Sequence, residues 1–212
     1  IKLLCRLYDP TEGVILLNGV DIRKYNYDEY LSIFSVVFQD FRLFSFSLGQ
    51  NVAAGAEYDR ERAVSCLREA GFGERLDRMP EGLETSLYQD FDKAGMEISG
   101  GEAQKIALAR ALYKNAPFIV LDEPTAALDP VSEYEVYRKF NEISGGRTAV
   151  YISHRLASCR FCDEILVFHE GQIVQHGAHE ALLAECGGKY AELWNAQAQY
   201  YTDAQAGAEA EA

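Results

Sequence analysis

An α/β fold built on a parallel sheet is what this sequence predicts, and three observations predict it. FIVLD (118–122) and TAVYIS (148–153) are short, apolar, β-rich runs of the kind that a sheet covered on both faces requires. Helix-period segments stand before and between them, so strands alternate with helices along the middle of the chain. The first run ends on two adjacent acids, Asp122 and Glu123. A solvated loop has no need of the apolar run, and a core strand does not favour the acids. In an α/β sheet both make sense, because ligands bind beyond the carboxyl ends of the strands.

The elements follow in order. Leu3, Leu4 and Leu7 recur at helical spacing, so IKLLCRL is expected to be helical up to the Asp9-Pro10 stop. VILLNGVDI reads as a hairpin turning at Asn18-Gly19. Asn26 and Glu29 suit a helix start, with Tyr27 to Phe34 helical. SVVFQ is a short strand ending at Gln39, and DFRLFSFSLGQN after it is aromatic and irregular. Ala63, Val64, Leu67 and Ala70 share one face of a helix from Asp59 to about Ala70. A glycine-studded stretch from Gly71 to Gly95 carries no clear period. A strong helix begins at Gly101. Asp129 caps a further helix with Pro130 at its first position, running to about Ile143 and ended by Gly145-Gly146. ILVFHEGQIVQHG is a second hairpin turning at Glu170-Gly171, and two short helices are expected near 178–185 and 189–199. The small, acidic tail TDAQAGAEAEA is expected to be disordered.

Composition bounds the function. Of 212 residues, 48% are hydrophobic, enough for one domain with a real core. Lys and Arg number 20 against 33 Asp and Glu, a net charge of −13. That argues against a nucleic-acid binder, which needs a basic face, despite tyrosines such as Tyr25, Tyr27 and Tyr30 that could stack on bases. Five scattered cysteines do not form a disulfide framework and fit a reducing compartment. Cys159 and Cys162 make a lone C-x-x-C, half a zinc site without a matching second pair. No apolar run reaches the ~18 residues of a membrane span, and no signal peptide is visible.

Several residues carry candidate chemistry. Asp122 offers an oxygen suited to Mg²⁺, and Glu123 beside it could polarise a water. ISGGE places Ser99 and Glu102 as a capping box, which by itself is a structural explanation. The box does not require Gly100 and Gly101, however. Glycines at a helix start allow backbone amides to approach an anion, so capping and phosphate binding both stand. His154 closes a strand, a place that structural histidines also occupy. Gln39 is a polar strand end. His169, His176 and His179 show no ligand spacing to one another.

Gln39, ISGGE, FIVLDEP, AALD and Ser153-His154 occur in this order, and with them the sequence resembles the nucleotide-binding domain of an ABC transporter over roughly residues 1–199. VVFQD is similar to the family's Q-loop, ISGGE to its signature (normally LSGGQ), FIVLDEP to Walker B with its catalytic Glu, AALD to the D-loop and Ser153-His154 to the H-loop. DPTEGVILLNGVDI looks like the family's opening hairpin. The aromatic Q-loop region and ISHRL look most like exporter-type domains that continue from a membrane domain.

The resemblance implies a P-loop NTPase-like core with a parallel sheet, an antiparallel β edge and a helical sub-lobe at about 57–114. The domain would span 1–199, with 200–212 as the disordered acidic tail. It implies ATP and Mg²⁺ as cofactors, with Asp122 supporting the metal and Gln39 sensing metal and water. Glu123 would be the general base and His154 would contact the γ-phosphate. Ser99, Gly100 and Gly101, with Glu102, would face the γ-phosphate of ATP held by the opposite subunit, and Asp129 the dimer interface. The partners implied are a second nucleotide-binding domain, as a homo- or heterodimer, and a membrane-spanning domain in the same polypeptide, with no nucleic acid. The location implied is the cytoplasmic face of a cell membrane, a bacterial one.

Two departures stand out. Glu102 replaces the usual Gln, and the expectation is that it caps the helix rather than touching phosphate. No G-x-x-x-x-G-K-[ST] loop occurs in these 212 residues. IKLLCRLYDP looks like the segment directly after that loop, so an N-terminal truncation is expected, and this fragment alone should hydrolyse almost no ATP. Phe38 to Phe46 is the candidate contact with cytoplasmic helices of the membrane domain; packing between the lobes is the alternative. Two other functions share these motifs: a soluble ABC-type ATPase acting on DNA or ribosomes, and a non-catalytic half of a heterodimer. The acidity and the exporter-like Q-loop oppose the first. The intact Glu123 and His154 oppose the second.

Overall fold

The computed structural model describes residues 1–123 and 146–210. It forms two compact units, Ile1–Ile152 and Ser153–Ala212.

In the first unit, residues 2–8 form turns rather than the continuing helix that the leucine spacing predicts. The Cys5 amide donates to the Ile1 carbonyl, and then the chain closes on itself. Leu7 N–H bonds Lys2 O at 2.9 Å, Arg6 N–H bonds Leu3 O at 3.1 Å, and Arg6 has φ 51°. This pair of bonds around a left-handed residue is a Schellman close, so the helical geometry stops before Pro10 is reached. Strands β1 (Leu16–Leu17) and β2 (Val20–Asp21) pair antiparallel. Both turn residues, Asn18 (φ 51°) and Gly19 (φ 78°), are left-handed, as a two-residue type I′ hairpin needs. Asn26 caps α1 (Tyr27–Ser32), its side chain accepting from the amides of Asp28 and Glu29.

A three-stranded parallel sheet runs in the order β3 (Phe34–Val37), β4 (Phe118–Asp122), β5 (Thr148–Ile152). In β4, Ile119, Val120 and Leu121 are all fully buried. The pleat sends Ile119 and Leu121 into one apolar cluster with Leu67, Phe72 and Ile106. Val120 goes into the other, with Ile22, Tyr30 and Phe34. Each such side chain contributes about 1.5–3 kcal/mol by leaving water. This two-sided burial is why the FIVLD run shows no polar alternation.

Helices α2 (Leu48–Ala53), α3 (Arg60–Glu69), α4 (Gly73–Asp77) and α5 (Gly100–Lys114) supply the first cluster. The last three lie within the 57–114 stretch expected to be a helical lobe. Helix α2 falls in a segment read as irregular. Its cause is local: Ser47 and Gln50 form a reciprocal capping box. The expected helix from Asp129 lies outside the described residues.

The second unit contains a 3-10 turn (Leu156–Phe161), then the antiparallel strands β6 (Ile165–His169) and β7 (Gln172–Gly177). Glu170 (φ 49°) and Gly171 (φ 76°) make the second type I′ turn, at the position that the sequence indicates. Helices α6 (His179–Ala184) and α7 (Lys189–Ala210) complete the unit. Helix α7 continues beyond 199, through a run rich in Ala, the best helix former. Ile165, Val167, Leu182 and Tyr190 form the core of this unit, where the Tyr190 hydroxyl meets His179 Nδ1 at 2.8 Å.

Candidate functional site

Parallel pairing decides where the site lies. Val37 of β3 sits opposite Leu121 of β4, so the two strands end side by side. Gln39 and Glu123, 84 residues apart, therefore leave the sheet together, and Gln39 Nε2 donates to Glu123 Oε2 at 2.9 Å. Asp122 is the last residue of β4 and pairs in register with Ile152. Glu123 turns out of the strand with φ 49°, a left-handed conformation that costs a non-glycine residue about 1–3 kcal/mol. Its amide still bonds Ile152 O at 3.0 Å. The strand hydrogen bonding thus continues through Glu123 while its carboxylate swings toward Gln39.

A cleft of about 560 Å³ opens at this edge, lined by Gln39, Arg42, Asp90, Gly100, Gln104 and Glu123 among others. It brings the start of α5 to the same cavity as the strand-end carboxylate. Ser45 on its wall donates to Asp90.

The start of α5 is a closed capping box. Ser99 Oγ accepts from the Glu102 amide at 3.3 Å. Glu102 Oε2 accepts from the Ser99 amide and from Ser99 Oγ, each at 2.9 Å. Glu102 Oε1 pairs with Arg75 Nε at 2.9 Å. Partial burial pushes the Glu102 pKa up, but the Ser99 bonds and the Arg75 charge outweigh it and hold the carboxyl below its ordinary value. The glutamate therefore turns back onto its own helix cap, which is the position expected from the sequence. Gly100 and Gly101 hold the first amides of the helix, which have no acceptor within it.

Three residues that the sequence did not single out shape this region. Arg75 is one. Asn51 and Arg110 are the others. Asn51, 2% exposed, binds the backbone of the aromatic segment: its Oδ1 accepts from Phe44 N at 2.8 Å, and its Nδ2 donates to Phe44 O at 2.9 Å and Ser47 O at 3.1 Å. Arg110 reaches from α5 to Asn51 O at 2.7 Å and Arg42 O at 3.2 Å. Burial lowers the Arg110 pKa. Phe44 and Phe46, 58% and 55% exposed, pack against each other on the outside of this framework. A capped helix was legible in SLGQ. Nothing local marks Asn51 as a hub.

Of the remaining candidates, Asp129 lies outside the described residues. His154 belongs to the second unit. Its carbonyl accepts from Gln197 Nε2 at 2.9 Å, and the preceding Ser153 Oγ accepts from the Arg155 amide at 2.8 Å, which fixes the turn that carries it. Among the described residues no three His, Cys, Asp or Glu side chains converge as a metal cage. Mg²⁺ does not need one, because it binds through one or two carboxylates plus waters and phosphate oxygens. The oxygen-only set of Asp122, Glu123 and the Gln39 amide is chemically suited to it.

Comparison with known proteins gives a consistent picture. Residues 1–126 match the family model described as ABC transporter. An ATP-dependent lipid A-core flippase of Burkholderia orbicola (strain AU 1054) is 41% identical over 199 residues, covering 94% of this chain and 33% of that protein. ABC transporter B family member 6 of Dictyostelium discoideum is 38% identical, covering 96% of this chain and 30% of that protein. Among solved structures, that of a bacterial Atm1-family ABC exporter with ATP bound superposes with a TM-score of 0.84 at 35% identity, over 93% of this chain and 34% of that one. The chain thus spans about a third of the length of the relatives it matches. With an α/β sheet of the exporter's fold and a family match over more than half its length, the chain belongs to the ABC transporter family.

Proposed function

We propose that this chain is the ATP-binding and ATP-hydrolysing domain that powers export across a membrane. The observation that carries the reading is the Gln39–Glu123 hydrogen bond at the carboxyl edge of the parallel sheet. It holds a carboxylate where a nucleophilic water would need a base. Asp122, one residue back on the rigid strand, is the oxygen ligand for Mg²⁺. Bound Mg²⁺ would supply charge neutralisation on the phosphates.

Gly100 and Gly101 present backbone amides to the γ-phosphate of ATP held by a second copy or a homologous partner, with Ser99 at the cap. His154 contacts the γ-phosphate, and Asp129 belongs to the interface with the second nucleotide-binding domain. The exposed Phe44–Phe46 pair supports contact with cytoplasmic helices of a membrane-spanning domain, because these rings face outward rather than filling a core. The domain would then work at the cytoplasmic face of a bacterial membrane.

The test is Glu123→Gln in the full-length protein. Turnover should fall by about 10²–10⁴ with ATP binding retained, since only the proton acceptor is lost. Unchanged turnover would refute the assignment.

A further inference from the structure

We propose that Arg75 is the charge partner that makes a glutamate workable at the ISGGE helix start, so that Arg75 and Glu102 act as one unit in admitting nucleotide. The inference rests on the functional reading above, in which the α5 amides face a phosphate.

The problem it solves is electrostatic. The positive end of a helix is worth roughly half an elementary charge. A bare carboxylate in the same turn carries a full negative charge, so an unpaired Glu102 would more than cancel the field that draws an anion to Gly100 and Gly101. The geometry removes this conflict. Both oxygens of Glu102 face a partner, Oε2 accepting hydrogen bonds from the Ser99 amide and hydroxyl and Oε1 lying 2.9 Å from Arg75 Nε as an ion pair without hydrogen-bond alignment. Arg75 comes from a different element, α4, and is steadied by a contact of its NH2 group with Met96 Sδ at 3.3 Å. The two side chains are only partly open to water, at 37% and 26%, so the pair is screened less than a surface ion pair. With Arg75 in place the carboxylate is neutralised and the helix end stays net positive. The Ser99 hydroxyl donates its hydrogen bond to Glu102, which leaves anion recognition to the two glycine amides. Arg75 is on this account a positioning residue that acts through Glu102.

The experiment is a double-mutant cycle in the full-length protein: wild type, Arg75→Ala, Glu102→Gln, and both together. The readout is equilibrium binding of a fluorescent trinitrophenyl-ATP at low and high salt, with thermal unfolding in parallel. Arg75→Ala should weaken binding about tenfold at low salt and less at high salt, as loss of a compensating charge near a triphosphate implies. The double variant should return to within about twofold of Glu102→Gln, because no carboxylate is left to compensate. If Arg75→Ala unfolds the protein, Arg75→Lys keeps the charge and should bind within about threefold of wild type. Binding by Arg75→Ala equal to wild type overturns the proposal, as does a double variant no better than Arg75→Ala or a Lys variant at least tenfold weaker than wild type. Absence of nucleotide binding by the wild type overturns the functional reading itself.

Discussion

Asn51→Ala tests whether the aromatic segment after Gln39 is held by one side chain. Asn51 makes three well-formed bonds to that segment, with Phe44 N at 2.8 Å, Phe44 O at 2.9 Å and Ser47 O at 3.1 Å. A longer one reaches Phe46 O at 3.3 Å. Each good bond contributes about 1 kcal/mol net, so the three are worth about 3 kcal/mol. Phe44 is exposed, so water can replace part of this, while Arg110 loses its weak contact with Asn51 Oδ1 at 3.4 Å. The expected cost is about 2–4 kcal/mol, or about 5–10 °C in Tm for a domain of this size. Urea unfolding followed by circular dichroism measures it, with Phe44→Ala as the control. Phe44 lends the framework its backbone rather than its ring, so removing the ring should cost under about 1 kcal/mol. An Asn51→Ala cost below about 0.5 kcal/mol, or one equal to that of Phe44→Ala, would refute the hub.

Phe44→Ala with Phe46→Ala in the full-length protein should leave basal ATP turnover within about twofold while lowering transport, since exposed apolar pairs serve contact rather than core; transport assays in vesicles check it, and unchanged transport counts against it. Thiol labelling at pH 8 should show one fast cysteine, the exposed Cys186, and four slow ones. Burial pushes the Cys159 thiol up to about 11, so only about one molecule in a thousand carries the thiolate at that pH. Fast labelling of Cys159 would contradict its burial. The depressed Glu102 pKa adds stability that is present above the ordinary carboxylate pKa and lost as pH falls through the folded value. Glu102→Gln should accordingly start from a lower stability that wild type reaches only once the pH has fallen through the depressed Glu102 pKa, beneath the ordinary carboxylate range; parallel pH titrations of Tm decide it.

Much of this protein is legible in its sequence, and the legible part is local. The type I′ turns at Asn18-Gly19 and Glu170-Gly171 arise from residues that accept positive φ. The caps at Asn26, Asp59 and Ser99 arise from side chains that reach their own helix amides. FIVLD followed by two acids announces a buried strand with polar chemistry at its end. Each of these signals is complete within a few residues, so no tertiary information is needed to read it. The Ser47–Gln50 capping box is an equally local signal, but within the aromatic run the segment reads as irregular and its helix goes unread.

What only the tertiary structure decided is which distant groups meet. Gln39 reaches Glu123 because β3 and β4 pair in parallel, in register, across 84 residues. Arg75 reaches Glu102 because α3 packs against both α4 and α5, and Arg110 reaches Asn51 across 59 residues because α5 lies against α2. A polar side chain gives no local sign of its partner. Its energy depends on what stands opposite once the apolar faces have closed and water has left. The sequence therefore determined the elements and the reactive ends of the strands, while packing of the apolar clusters determined the register, the cleft and the charge balance at the helix that faces it.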